Sequence, residues 1–463
     1  MSSKETGNKQ GLSMSSCIRI AVGGMVGSAI FTLSGVTYAM AGSAAMITWI
    51  LAGVVVLLYA LNVSELATTF PRMGGIFVFP QQVLGKKKKT RDFAGWFTGW
   101  AWLFGDILGT AFSAIMITSY LESIIPSIKG NKPIEILIPL IWIAGSCLFN
   151  ILGISTMGKV NTLLITLLLL VCGTYICVGL GHFDSSNFLP FVNGTMGAHG
   201  IMAGVPTAML GFGSIIGIAS MSSEIREPKK TIPKVMGISI LITVVLYSLI
   251  LLTTFGMAPV QDFIQDPGKQ YWPVAYALMK GLNGTMNWML PLVPVAVVLA
   301  ISNLLLILNM DSGRTLYAIA ESGYMPKMFA KKDGKNTPVN ALIAVAVLSA
   351  VFTLVPSLLF AIIGTGAICT AATAMIVAIS VIALRKKKEL QVEGAFKVPG
   401  GIFIPVATVI IIALTLVYQY KSPGGPTSFL LGGAWFAIGI IIFLIKCAFT
   451  KNVPASVSGE VNK

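Results

Sequence analysis

The chain has 463 residues, 55% of them hydrophobic and only 11% charged, with 32 Lys/Arg against 17 Asp/Glu and a net charge of +15; its mean hydropathy is +0.84. A soluble globular chain carries about 25% charged residues, so this composition excludes an ordinary water-soluble domain and points to a membrane protein. The positive excess does not indicate a nucleic-acid partner, because the basic residues cluster between apolar runs rather than forming a domain of their own.

About 20 apolar residues cross a bilayer core. Twelve such runs are predicted, at 17–40, 44–69, 93–121, 134–151, 159–180, 199–221, 235–257, 287–310, 338–357, 361–384, 403–420 and 427–449. The tail 1–16 is polar and has no cleavage-site pattern, so the first run is expected to stay as a helix rather than act as a removable signal. That run contains GGMVGSAIFTLSG at 23–35, with no charge between Arg19 and Glu65. Glycine in a helix costs about 1 kcal/mol relative to alanine. Gly23 and Gly27 have the GxxxG spacing that lets two helices approach. The alternative is that Gly23, Gly24, Gly27 and Gly35 let the helix open, which lipid tolerates only where protein buries the freed backbone or a cavity receives it.

The second run ends with Glu65, expected either to pair with nearby Arg72 at the interface or to act in a gate. GKKKKTR at 85–91 follows. The third run holds one deep carboxylate, Asp106, near its middle. A bare ionised carboxylate there costs at least about 2.5–3.5 kcal/mol. Asp106 therefore either stays neutral on a neighbouring hydroxyl or backbone group, carries a coupling proton, or faces a substrate ammonium.

The sixth run, GVPTAMLGFGSIIGIAS at 204–220, is interrupted by Pro206, Gly211, Gly213 and Gly217. Beyond it stand Glu224 and Arg226, which either form a solvated loop or close a gate with Arg314 or Lys234. The remaining runs carry few polar residues; LRKKKEL (384–390) separates the tenth from the eleventh.

With the N-terminus inside, 27 of the 32 Lys/Arg fall on cytoplasmic segments and only five outside. That is the positive-inside pattern, and it places both termini in the cytoplasm of a multi-pass cell-membrane protein. The basic runs are then topology determinants, with contacts to anionic headgroups as an addition. Six cysteines without a CxxC pair predict no disulfide, and two histidines, His182 and His199, are too few for a metal site. NGT at 193–195 and 283–285 is read as chance. No phosphate-cradling loop or catalytic set is found, so no cofactor or enzyme activity is expected. The runs are too apolar to line a channel.

The first span of 1–5 and the first span of 6–10 are both interrupted by glycine. Five spans are an odd number, so the two halves cross in opposite senses. Interrupted segments at matching positions of two such halves point to the binding site of an inverted-repeat transporter.

Three further stretches carry a resemblance. VGGMVGSAIF (22–31), SSEIREPKKTIPKVM (222–236) and DSGRTLYAIAESGYMPKMFAKKDGKNTPVNAL (311–342) resemble, in matching order, motifs of the amino acid–polyamine–organocation transporters. SELATTFPRMGGIFVF (64–79) is similar to the end of their second helix. The resemblance implies an all-α integral membrane protein of twelve helices. Its LeuT-like core would be two inverted five-helix repeats, 17–180 and 199–384, with helices 11 and 12 at 403–449 and a cytoplasmic tail at 450–463. It implies a substrate site between broken helices 1 and 6. Gly27 and Ser28 match the carboxylate-binding pair, Ala29 departs from a third glycine, and Gly23, Gly24 and Met25 complete the first break. At the sixth helix the resemblance places Leu210 at a gate, Phe212 at an aromatic position, Gly213 and Ser214 in the flexible segment, and Ile216 where many relatives carry an acidic or amide residue. A cationic side chain would lose its partner there, so a small, neutral, fairly apolar amino acid is expected. A polyamine or amine exchanger is the alternative. Leu304 and Ile307 stand where sodium-binding hydroxyls would be, with Ser302 and Asn303 out of phase, and Leu168 stands where some relatives place a lysine. Protons, or exchange without an ion, remain as drivers.

Overall fold

The computed structural model describes residues 12–70, 75–152, 157–222, 225–333 and 337–449. The apolar runs become helices because a spanning backbone must satisfy its own hydrogen bonds in lipid. The first run splits into α1 (Met14–Met25) and α2 (Ser28–Ala41). Gly42, at φ +67°, ends α2 in a left-handed turn. Then come α3 (Ala45–Thr69), α4 (Gly75–Val83), α5 (Lys88–Ile124), α6 (Lys132–Leu152), α7 (Met157–Gly181) and the short α8 (Ser185–Phe188). The later part comprises α9 (Ala198–Met209), α10 (Gly217–Ser220), α11 (Pro228–Met257), α12 (Val260–Gln265), α13 (Pro273–Leu282), α14 (Leu292–Glu321), α15 (Val339–Thr353), α16 (Leu359–Lys386), α17 (Phe403–Tyr420) and α18 (Gly425–Phe449). Among the described residues there is no β-strand, only one parallel bridge between Leu12 and Ile225.

Each of the twelve expected runs falls on helix. Nine helical segments among the described residues are long and apolar enough to cross a membrane; one of them, Ser28–Thr69, is divided by the turn after α2. Met14–Met25, Ile165–Gly181 and Val339–Thr353 are apolar but shorter. The architecture is thus an all-helical, multi-pass membrane bundle.

The amide of Arg226, just before α11, donates to Leu12 O, just before α1. The end of the bundle where α1 begins therefore also carries Lys229, is joined by Lys86–Lys89 and Lys386–Lys388, and is called the basic face below. Contacts across it agree: Lys387 Nζ donates to the carbonyls of Val83 (2.9 Å) and Gly85 (3.2 Å), and Lys229 Nζ to that of Glu393 (2.8 Å).

α5 is the buried centre, packed on α14, α16 and α4, while α3 packs on α11. Leu148, Val417, Leu430 and Leu444 on α6, α17 and α18 are exposed. Such apolar outer faces suit lipid contact. An aromatic column joins α18 to α5: Trp100 stacks on Trp435 at 4.3 Å between centroids, and Phe104 on Trp435 at 4.1 Å. Their indole N–H groups donate to helix carbonyls, Trp100 to Trp435 O (2.9 Å) and Trp435 to Trp100 O (3.0 Å), so the apolar rings are buried without orphaned donors.

Two stretches expected as loops are helical. The segment 258–286 folds into α12, a 3₁₀ turn (Pro267–Tyr271) and α13, which pack on α2. A Cβ on Gly35 would lie 2.3 Å from the Gln270 carbonyl oxygen, which is why glycine stands there. The segment after 310 continues α14 as far as Glu321, so Asp311 and Arg314 are helical residues.

Candidate functional site

The break between α1 and α2 is built from three residues. Val26, at φ −74° and ψ +64°, is the centre of an inverse γ-turn. Its closing bond runs from Gly27 N to Met25 O at 2.7 Å. Gly27 then precedes α2 with no side-chain cap. The first amide N–H groups of α2, from Ser28 and Ala29 onward, have no intrahelical acceptors and carry the positive end of the helix dipole. Ser28 is buried, and its hydroxyl meets that of Ser113 on α5 at 3.2 Å.

The sixth run behaves differently. After α9, Leu210–Ile216 winds as a 3₁₀ helix before α10, rather than opening. A seven-residue 3₁₀ stretch is long for that geometry and marks strain or a hinge. Its residues turn two ways. Phe212 is fully buried against Tyr247 (5.1 Å, edge-on) and Trp49 (6.4 Å). Ile216 and Gly211 are buried, whereas Leu210, Gly213 and Ser214 are half-buried. A Cβ on Gly213 or Gly217 would meet nothing within 4 Å, so this face borders open space.

The two segments meet at two points. A Cβ on half-buried Gly24 would lie 3.0 Å from Ser214 Oγ, and that hydroxyl has no hydrogen-bond partner. Tyr247 of α11, fully buried, makes the second link. Its hydroxyl reaches Met25 O at 2.5 Å and Gly211 O at 2.8 Å, so one phenol holds a carbonyl from each interrupted helix. Motif matching missed Tyr247; its only sequence signal is a polar-tipped aromatic in an otherwise aliphatic run.

Of the expected site residues the structure thus brings Gly24 to Ser214 and, through Tyr247, ties Met25 to the 3₁₀ stretch, while Gly27 meets Leu304 and Ser28 meets Ser113. Gly23 faces another way: a Cβ there would lie 2.1 Å from the Ile165 side chain of α7, so it permits close helix packing. Phe212 and Ile216 face the aromatic and aliphatic core. Leu304 approaches the break, 3.1 Å from a Cβ on Gly27. Ser302 is engaged elsewhere, accepting from Trp142 Nε1 (2.7 Å) and donating to Val298 O (2.6 Å). Leu168 is buried.

The gate candidates separate as well. Glu65 pairs with Arg385; Arg72, its expected partner, lies outside the described residues. Its carboxylate accepts from Arg385 Nε (3.0 Å) and Nη2 (2.6 Å) and from Val398 N (2.7 Å). This bidentate, backbone-supported pair ties α3 to α16 and to the strand-like segment before α17. Glu224 lies outside the described residues. Arg226 and Arg314 are exposed; the amide of Arg226 donates to Leu12 O at 3.1 Å and fastens the start of α1. Asp106 is buried on α5, and its Oδ2 has no hydrogen-bond partner. Among the described residues no group of three His, Cys, Asp or Glu could hold a metal ion.

Comparison with known proteins agrees with this architecture. Residues 12–458 match the family model described as amino acid permease. A branched-chain amino acid permease of Lactococcus lactis subsp. cremoris is 26% identical over 92% of this chain and 92% of its own length. A protein of the same description from Bacillus subtilis is 24% identical, over 92% and 90%. An aspartate-proton symporter of Bacillus subtilis is 26% identical, over 98% and 86%. With nearly its whole length matched, the chain belongs to the amino acid permease family.

Proposed function

We propose that the chain is a secondary active transporter that moves a small neutral amino acid with an apolar side chain by alternating access. The observation that carries this reading is the Tyr247 hydroxyl, which marks two main-chain carbonyls, Met25 O and Gly211 O, converging beside the uncapped start of α2. An amino acid zwitterion needs that pairing: N–H donors for its carboxylate and carbonyl acceptors for its ammonium. Gly24, Met25, Gly27, Ser28 and Ala29 would supply the first side of the site, and Leu210, Gly213 and Ser214 the second, with Phe212 and Ile216 packed behind them in the core. Leu304 and Leu210 supply apolar surface there, and among the described residues no carboxylate is seen beside them, which favours a neutral side chain. The relatives described as branched-chain amino acid permeases support the same substrate class. The family is one of permeases, and the chain is a transporter rather than an enzyme.

In the full arrangement, ten of twelve spans form inverted repeats at 17–180 and 199–384, with α17 and α18 outside them, and the basic face is cytoplasmic in the cell membrane. Purified protein in liposomes tests the function. Counterflow of labelled leucine, isoleucine or valine, blocked by excess unlabelled substrate, is the expected result. Counterflow of putrescine or ornithine with none of these would replace the reading with an amine exchanger.

A further inference from the structure

On α5, Trp102, Gly105, Asp106 and Gly109 share one face, at the spacing of helical neighbours. That face lies against α14 and α16. A Cβ on Gly109 would meet Leu308 Cδ1 at 3.4 Å, and one on Gly105 would meet Cys369 Cβ at 3.5 Å. Trp102 Nε1 donates to Asp311 Oδ2 at 2.8 Å. The two helices run in opposite directions, so the Gly109–Leu308 and Trp102–Asp311 contacts bracket Asp106 and aim it at Asp311. Asp106 is 7% exposed, and its Oδ2 has no donor. Asp311 is half-buried, and it is the charged group that acts on Asp106.

We propose that Asp106 and Asp311 are a shared-proton pair between α5 and α14, and that this pair binds the proton driving net transport. The inference rests on the transporter reading. Two facing carboxylates cannot both be charged in a membrane interior without a cation between them. Among the described residues neither makes an ion pair. Beyond Asp311, α14 carries Arg314, exposed and one turn toward the basic face, and then Tyr317 and Glu321 farther along toward that face. From α16 the facing titratable group is Cys369; α4 and α15 bring none, and the charges of α6 and α18 stand at the ends of those helices. Asp311 already accepts from the Trp102 indole N–H while Asp106 Oδ2 has no donor, so the shared proton is placed on the Asp106 carboxyl and donated to an Asp311 oxygen. A water proton reaches the pair through Asp311, the more exposed partner, in one transport state, and is released through the same carboxyl to the opposite side in the other.

The pair is also wired to the first break. Both helices touch it two turns away, roughly 10 Å along each axis: α5 through the Ser113–Ser28 contact and α14 through Leu304 against Gly27. With the proton present the carboxyls attract and hold α5 to α14. Without it they repel, and the break loses the packing of both helices at once. This gives the proton different binding free energies in the two transport states, which is the requirement for coupling.

The experiment uses the full chain in liposomes. Wild type should accumulate leucine against its gradient at least tenfold when the medium is acidified, with proton entry recorded by an internal dye. Asp106→Asn and Asp311→Asn should each abolish accumulation and substrate-linked proton entry, yet keep leucine counterflow within about threefold. The double variant should be no worse than either single one. Wild-type accumulation and proton entry in either single variant would overturn the pair, as would accumulation driven by sodium and indifferent to pH. Absence of wild-type counterflow would instead sink the transporter reading. Labelling of the wild type by dicyclohexylcarbodiimide, which attacks protonated buried carboxyls, decides the matter even if the variants do not fold. One label on Asp106 or Asp311, lost as pH rises, supports the pair; labelling of neither overturns it.

Discussion

Tyr247 shows what one side chain does between two interrupted helices. Its one O–H proton is shared between Met25 O and Gly211 O in a fully buried place; Met25 O also accepts from Gly27 N, so removing the hydroxyl leaves Gly211 O as the acceptor most in want of a donor. Leaving a buried group unsatisfied costs about 1–3 kcal/mol. Tyr247→Phe is therefore expected to lower the unfolding temperature of the ligand-free protein, read by a thermal scan in detergent. The same two carbonyls are the acceptors proposed for the substrate ammonium, which the phenol contests. Tyr247→Phe should consequently show a larger stabilisation by saturating leucine than wild type does, since ligand bound only to the folded state raises stability by mass action. An unchanged or smaller ligand shift would mean that the phenol positions the site rather than competing for it. The role of Tyr247 was not legible from sequence, because it depends on three segments, α1, α11 and the 3₁₀ stretch, converging in space. The glycines were legible as a group, but not individually. Gly24 faces Ser214, whereas Gly23 makes room for Ile165 and Gly35 for the Gln270 carbonyl.

The helices that matter here are those that fail to be uniform. Apolar runs announce spanning helices, because lipid leaves the backbone no alternative, and every expected run proved helical. The manner of interruption is harder to read: glycine permits an opened turn, as at Val26–Gly27, and equally a tightened 3₁₀ winding, as at Leu210–Ile216. Helix ends are also poorly marked where the chain leaves the bilayer, since hydropathy falls before the winding stops. Hence Asp311 and Arg314 belong to α14 rather than to a loop. The 3₁₀ segment invites a direct test. A Cβ on Gly213 meets nothing within 4 Å, so Gly213→Ala fits, and it gains roughly 1 kcal/mol of helical preference. The expected outcome is a higher unfolding temperature with slower leucine counterflow, because a segment that must flex has been stiffened. Gly35→Ala is the contrasting case: its methyl would strike main-chain atoms of the 267–271 turn, and overpacking of that kind costs about 1–3 kcal/mol. It should lower the unfolding temperature.

Across the whole molecule, charge is arranged by face. One buried ion pair, Arg385 to Glu65 at 2.6 Å, joins α3 to α16 near the basic face, where the side chains are 17% and 4% exposed. Breaking a buried pair strands a charge and costs about 3–5 kcal/mol, so Glu65→Gln should unfold at a markedly lower temperature. Glu65→Gln combined with Arg385→Gln should recover part of that loss. The rest of the basic charge acts on orientation rather than stability. Arg and Lys resist transfer across the membrane during insertion, so the face richer in them stays in the cytoplasm. Lys88 opens α5 on that face and Lys327 follows α14, which runs antiparallel to α5, whereas Lys129 follows the far end of α5 and Lys280 lies beside the far end of α11. Single cysteines replacing these four lysines, in a chain whose own six cysteines are changed to serine, report the orientation in intact cells. A membrane-impermeant maleimide is expected to label the cysteines at 129 and 280 directly, and those at 88 and 327 only after the membrane is permeabilised. The reversed pattern would turn the protein over and set the basic face outside the cell.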